Sequence, residues 1–288
     1  MKGRGAYEFV RRFRYDLAAL LTLATVMVIG VDYVPLQTFS GVVPLMGIVV
    51  AIFIGFRNRN AYARWWEART LWSAVTANGQ SLNYALIAYE DGSPEMTAIV
   101  DRMRRREVRH AWRLAAQLRG TEPSPVLPDL TPEDPADCTA SELLTRQACD
   151  IGELSRAGLI DRQARRVLVT INSAQVAAAG GLERIAQQPI PPFFDLFIRG
   201  LAWFFAILVC TRLDGEGHDN VTGIVLSICI MALIIIAERL GPLLEEPMSA
   251  DMFGLPLDRF CTELTADLAS GMSNAGTVSA LRESEGRR

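Results

Sequence analysis

Four apolar runs of membrane-spanning length dominate this chain, and they limit its fold more than any other feature. They are YDLAALLTLATVMVIGVDYVPL (Tyr15 to Leu36), TFSGVVPLMGIVVAIFIGF (Thr38 to Phe56), PPFFDLFIRGLAWFFAILVCT (Pro191 to Thr211) and VTGIVLSICIMALIIIAERL (Val221 to Leu240). A hydrocarbon core about 30 Å thick takes about 20 helical residues. Backbone groups in lipid must be satisfied within the segment, so each run is expected as a helix. The first run has the basic lead-in of a signal peptide. Its apolar part is long, however, and no small-residue cleavage site follows, so a retained span is expected. The pattern predicts an all-α membrane protein with four transmembrane helices.

Charge sets the orientation. Lys2, Arg4, Arg11, Arg12 and Arg14 precede the first run, and Arg57, Arg59, Arg64 and Arg69 follow the second. The link between those two runs holds only Asp32, and RLDGEGHDN between the last two is mostly acidic. The excess of positive charge on one side places both termini and the long middle segment in the cytoplasm. The expected organisation is a cytosolic segment at 1–14, transmembrane helices 1 and 2 within 15–56, a cytosolic helical region at 57–190, transmembrane helices 3 and 4 within 191–240, and a cytosolic segment and tail at 241–288. Within the middle region, Ser93 is a candidate helix cap and a basic helix ends at Gly120. TEPSPVLPDLTPEDPAD is rich in proline and is expected to be a loop. An amphipathic helix then stops at Gly158, and Asp161 caps another that runs to about Gln187. LGPLLEEPMSADMFGLPLD after the fourth run reads as irregular, with a last helix from about Asp258 to Ala269. No strand-like alternation and no internal repeat stand out.

The remaining composition excludes several function classes. A net charge of −3 gives no support for nucleic-acid binding. The five cysteines, Cys138, Cys149, Cys210, Cys229 and Cys261, are scattered without CxxC spacing, against a disulfide framework or a zinc site. His110 and His218 are the only histidines. The chain has no HExxH, no GxSxG elbow and no phosphate loop. No enzyme, no catalytic residue and no cofactor are expected.

The second run carries a more specific pattern. Ile48, Ile52 and Phe56 are spaced i, i+4 and i+8 and share one helical stripe about 12 Å long. Pro44, Gly47 and Gly55 lie beside it and would admit a close helix neighbour. Bundle packing and lipid contact explain such a stripe. So does an apolar pore constriction repeated around a symmetry axis, which gates by dewetting.

GFRNRNAYARWWEARTLW (Gly55 to Trp72) resembles the signature of the bestrophin family of ion channels. GGLERIAQQPIPPFF (Gly180 to Phe194) is similar to the family's lead-in to its third span, and AERLGPLLEEPMSADMFGLPLDRFCTELTADL (Ala237 to Leu268) to the segment after its fourth. The resemblance runs in register from about Phe9 to Leu268 and is strongest to the bacterial members. It implies a homopentamer in the bacterial inner membrane, conducting permeant monovalent ions through one central pore. It maps the three bulky residues of the family's pore neck onto Ile48, Ile52 and Phe56. A second, cytosolic aperture maps onto Gln163, with Val167 one turn on as the alternative. Many relatives place an aliphatic residue there, so an amide at Gln163 departs from the pattern.

The family's eukaryotic members clasp calcium with a dense acidic run after span four. Here Glu245, Glu246 and Asp251 are dispersed, and calcium favours six to eight oxygen ligands, so calcium regulation is not expected. Asp214, Glu216 and Asp219 would make the outer mouth negative and concentrate cations. Arg57 and Arg59 would favour anions if they faced the pore; pairing with acids or contact with headgroups is the other reading. The balance leans to cations, with chloride close behind. Arg57, Trp65 and Trp66 suit a membrane-interface anchor, and from Arg57 onward the same helix is expected to continue into the cytoplasm. Asp195 and Arg199 are four apart and can pair. The competing readings are a secondary transporter, which would show inverted repeats, and a non-conducting membrane scaffold.

Overall fold

A computed structural model describes residues 18, 22, 42–188, 192–213 and 221–269. Among the described residues the secondary structure is helical, without strands. The helices are α1 (Val42–Tyr89), α2 (Pro94–Arg119), α3 (Leu127–Leu130), α4 (Ala140–Arg156), α5 (Arg162–Gln187), α6 (Pro192–Leu213), α7 (Val221–Glu245) and α8 (Leu257–Ala269). Among the described residues no helix is long and apolar enough to cross a membrane. The first apolar run falls almost wholly outside the described residues. The described parts of the second, third and fourth lie on α1, α6 and α7; Arg57 and Arg59 follow the second run, Asp195 and Arg199 lie in the first turns of α6, and Glu238 and Arg239 stand at the end of the fourth run.

The chain divides into two compact units. One comprises Met1–Trp65 and Ile190–Glu246. Its core joins the first half of α1 to α6 and α7 through Val50, Ile54, Ile198, Ala202, Phe205 and Val209, with Ile230, Ile234 and Ala237 packed against them. Met231 and Ile235 of α7 form a second cluster with Ala206. Gly47 is where α6 comes close: a Cβ there would lie 3.1 Å from the Phe205 ring. Among the described residues of the chain Gly55 has no such neighbour: a Cβ there would meet nothing within 4 Å. α7 also extends past the end of its apolar run, through Pro242 to Glu245, where an irregular segment was expected.

The other unit comprises Trp66–Pro189 and Pro247–Arg288. Its helix ends follow local chemistry. The Ser93 hydroxyl accepts from Met96 N–H at the start of α2, and Gly120 closes that helix with a φ of 65°, a conformation that favours glycine. Thr139 and Glu142 form a reciprocal capping box on α4. Asp161 accepts from Ala164 N–H at 2.7 Å to start α5. One apolar core joins Leu82 and Leu86 of α1, Met96, Ile99, Val100 and Met103 of α2, Ile151 and Leu154 of α4, and Ala164 and Leu168 of α5.

The basic character of α2 is spent inside this unit. Arg106 grips Asp134 with two hydrogen bonds, of 2.7 and 2.9 Å, and also bonds Asp150. Arg102 holds Asp150 from the other side. Arg105 donates to Leu130 O at 2.6 Å and to Glu133. Arg109, 1% exposed, has no carboxylate partner of its own among these bonds; it reaches Thr131 Oγ1 at 2.6 Å and the Thr131, Pro135 and Ala136 carbonyls. Burial lowers its pKa from the ordinary arginine value. These arginines pin the proline-rich segment, which is not wholly a loop. α3 forms within it because Pro128 sits in the first turn, where a missing N–H costs nothing, and because Leu127 and Leu130 are buried.

Candidate pore-lining helix and its arginine hub

The first half of α1 has two apolar faces. One is buried and runs through Val50 and Ile54 to Arg57 and Ala61. The other is exposed and runs through Leu45, Ile48, Ile52 and Phe56, the last three at 59%, 49% and 59%. Among the described residues the predicted neck stripe is thus exposed. A helix that is apolar on both faces needs a second apolar or symmetry-related environment for the outer one.

The helix runs on without a break from Phe56 through Arg69. Arg57 is 3% exposed and faces its own chain. Its Nη1 donates to Glu238 Oε1 at 3.1 Å, its Nε to Glu245 Oε1 at 3.1 Å, and its Nη2 to Asp195. The anchor expectation for Arg57 is therefore corrected to the pairing alternative: the guanidinium is turned inward to three carboxylates rather than outward to headgroups. Arg199 flanks the cluster, 3.7 Å from Asp195 and 3.8 Å from Glu238, so the expected Asp195–Arg199 pair forms as one edge of a larger network. Arg239 lies 3.6 Å from Glu238. The two deeply buried charges, Arg57 and Glu238, are each matched by an opposite charge, as burial of charge requires.

Neighbouring bonds tighten the same junction. Asn58 Nδ2 donates to Ala237 O at 2.9 Å, and Arg64 Nε to Glu245 O at 3.0 Å. Gly241 permits the approach: a Cβ there would stand 2.9 Å from Asn58 Oδ1 and 3.1 Å from Arg57 Nε. Glu238 was not singled out from the sequence. The available signal was a lone acid at the end of an apolar run, the same kind of signal as Arg57 itself. Glu245, considered for calcium, accepts a hydrogen bond from Arg57.

The other predicted site residues are dispersed. Gln163 is exposed on the first turn of α5, and Val167 is half-buried one turn on. Trp65 is half-buried and stacks on Tyr62 with ring centroids 6.3 Å apart. Trp66 is exposed. Glu246 and Asp251 are exposed. Among the described residues no three His, Cys, Asp or Glu side chains converge where they would hold a metal ion. Asp214, Glu216, Asp219 and His218 lie outside the described residues.

Comparison with known proteins extends this picture. Voltage-dependent anion channel-forming protein YneE of Escherichia coli (strain K12) is 28% identical over 268 residues, covering 89% of this chain and 83% of that protein. Voltage-dependent anion channel-forming protein mll4386 of Mesorhizobium japonicum is 28% identical over 225 residues, covering 75% and 70%. The crystal structure of a bacterial bestrophin homolog from Klebsiella pneumoniae superposes with a TM-score of 0.81 at 24% identity, over 90% of this chain and 98% of that one, and so shares the fold. The family model described as Bacterial/Fungal Bestrophin protein matches residues 11–270. The chain belongs to the bestrophin family, in its bacterial and fungal branch.

Proposed function

We propose that this protein is a passive ion channel in which α1 lines a narrow apolar neck formed by Ile48, Ile52 and Phe56 of several copies around one axis. The observation that carries this reading is the uncovered apolar stripe on α1, which sits beside a face fully used in packing. Five copies, as the resemblance implies, would bring the stripes together. A ring of such side chains disfavours water until it widens, which is how an apolar constriction gates. Four spans with cytosolic termini and a helical cytosolic body complete the reading, with Gln163 at a second, polar aperture.

The permeant species are small monovalent ions. The matched relatives are named as anion channel-forming proteins, and this favours anions. The second reading, cations, rests on Asp214, Glu216 and Asp219 in the outer loop. Arg57 bears on neither, because its charge is neutralised within its own chain.

Bilayer recordings of the purified protein under a salt gradient test the proposal. Wild-type protein should conduct, with a reversal potential that gives the sign of the ion. Alanine at Ile48, Ile52 or Phe56 should raise conductance or open probability, since each removes part of the barrier to wetting. Gln163→Ile should lower conductance or alter ion preference. No flux would favour the scaffold reading; alanine variants identical to a conducting wild type would overturn the neck and leave the channel reading standing.

A further inference from the structure

Phe56 and Arg57 are consecutive on one helix, so their side chains leave it about 100° apart. Phe56 is exposed on the neck stripe, and Arg57 is buried at the hub. The orientation of one therefore sets the orientation of the other. We propose that Arg57 is the positioning residue of the pore: its three-way ion-pair hub fixes the rotation of α1 and so the aim of the Phe56 ring. This rests on the channel reading of the α1 stripe.

The geometry suits that role. A guanidinium is a rigid planar fork, and here each of its three nitrogens meets a different carboxylate. Asp195 comes from the start of α6, and Glu238 and Glu245 from the last turns of α7. The two α7 acids are seven residues apart, on one face and about 10 Å along the axis. The fork is thus held from two helices and at two heights. A turn of α1 in either direction breaks at least one leg, and a broken leg leaves a carboxylate short of its partner in a site where Glu238 is 2% exposed. Asn58 on Ala237 O adds a fourth point of attachment at the next residue. Simple packing of apolar side chains would not need this set of directional bonds; lysine in the same place would keep the charge and lose the fork.

The test is a double-mutant cycle on conduction, recorded in bilayers with full-length protein: wild type, Arg57→Lys, Phe56→Ala and the double variant. Arg57→Lys is expected to change single-channel conductance or open probability by at least about threefold, as residues acting through one another do. In the Phe56→Ala background the same substitution should change nothing, because the ring it aims is gone. Melting temperature and oligomer size of each variant show that the assembly is intact; should Arg57→Lys fail to assemble, Asp195→Asn and Glu245→Gln each remove one leg and carry the same cycle. Multiplicative effects of Arg57→Lys and Phe56→Ala would overturn the positioning role and leave the channel reading standing. A Phe56→Ala channel identical to wild type would instead overturn the neck, and the positioning role with it.

Discussion

Replacing Arg106 by methionine tests whether the arginine lattice of α2 holds together the unit of Trp66–Pro189 and Pro247–Arg288. Arg106 lies between Asp134, whose side chain is 2% exposed, and Asp150 at 7%. Removing one partner of a buried ion pair costs about 3–5 kcal/mol, chiefly through the charge left behind. Asp150 keeps Arg102, with bonds of 2.9 and 3.2 Å. Asp134 keeps Arg146, at 3.7 Å, the more distant charge of Arg109 and a hydrogen bond from Thr131, none of which replaces the two-bonded fork of Arg106. One carboxylate is orphaned rather than two, so the lower end, about 3 kcal/mol, is expected. For a unit of 150–250 residues that is a fall in Tm of about 6–12 °C, readable by tryptophan fluorescence of the purified protein.

The pH dependence gives the sign independently. In the native protein burial pushes the Asp134 carboxyl up, but the hydrogen bonds and charge of Arg106, then the charge of Arg146, outweigh it and hold the group below the ordinary carboxylate range. A depressed folded pKa contributes stability that is complete above the unfolded value of about 3.9 and is lost as pH falls through the folded pKa. Without Arg106, burial dominates and the carboxyl moves up. Relative to wild type, stability of the variant then rises on acidification from pH 7 towards pH 5, and the Tm gap narrows. Adding Asp134→Leu removes the orphaned charge and should recover most of the loss, to within about 1 kcal/mol of wild type. A gap that stays constant with pH, together with a double variant no better than the single, would refute the reasoning.

Two further substitutions probe the same unit. A Cβ at Gly254 would land on the backbone oxygen of Ser249, in the turn closed by Leu255 N–H on Pro247 O at 2.8 Å. Gly254→Ala should therefore cost about 1–3 kcal/mol, seen as a lower Tm and faster proteolysis after α7; unchanged behaviour would show that the turn yields freely. His110 is fully buried, and neither ring nitrogen has a hydrogen-bond partner. His110→Leu removes two unsatisfied polar atoms and should leave stability unchanged or raise it by up to about 1–3 kcal/mol. A clear loss would mean instead that the contact with Glu107, whose Oε1 lies 3.8 Å from His110 Nδ1, contributes to the fold.

What could be read from the sequence and what could not divide by the range of the interactions. Ser93, Gly120 and Asp161 mark helix ends because a cap acts on backbone groups two to four residues away, and those residues are adjacent in the text. The apolar stripe of Ile48, Ile52 and Phe56 is legible because helical periodicity is local, and the signature from Gly55 to Trp72 is legible because it is contiguous. The short α3 inside the proline-rich segment was not legible: its stability comes from burying Leu127 and Leu130 and from arginines on α2, against a local composition that argues for a loop.

The sequence by itself determined that the chain is built from helices, where most of them begin and end, which residues share the exposed apolar stripe of α1, and to which family the chain is similar. It left open the side of α1 to which Arg57 turns. Pairing, headgroup contact and pore exposure are equally compatible with an arginine at the end of an apolar run. Only the tertiary structure decided it, because the three carboxylates that claim Arg57 stand 138, 181 and 188 residues away in the chain. In a low-dielectric setting a charge must find its partners, and which partners are within reach depends on how α6 and α7 pack against α1. The same packing leaves Phe56, one residue earlier, on the open face.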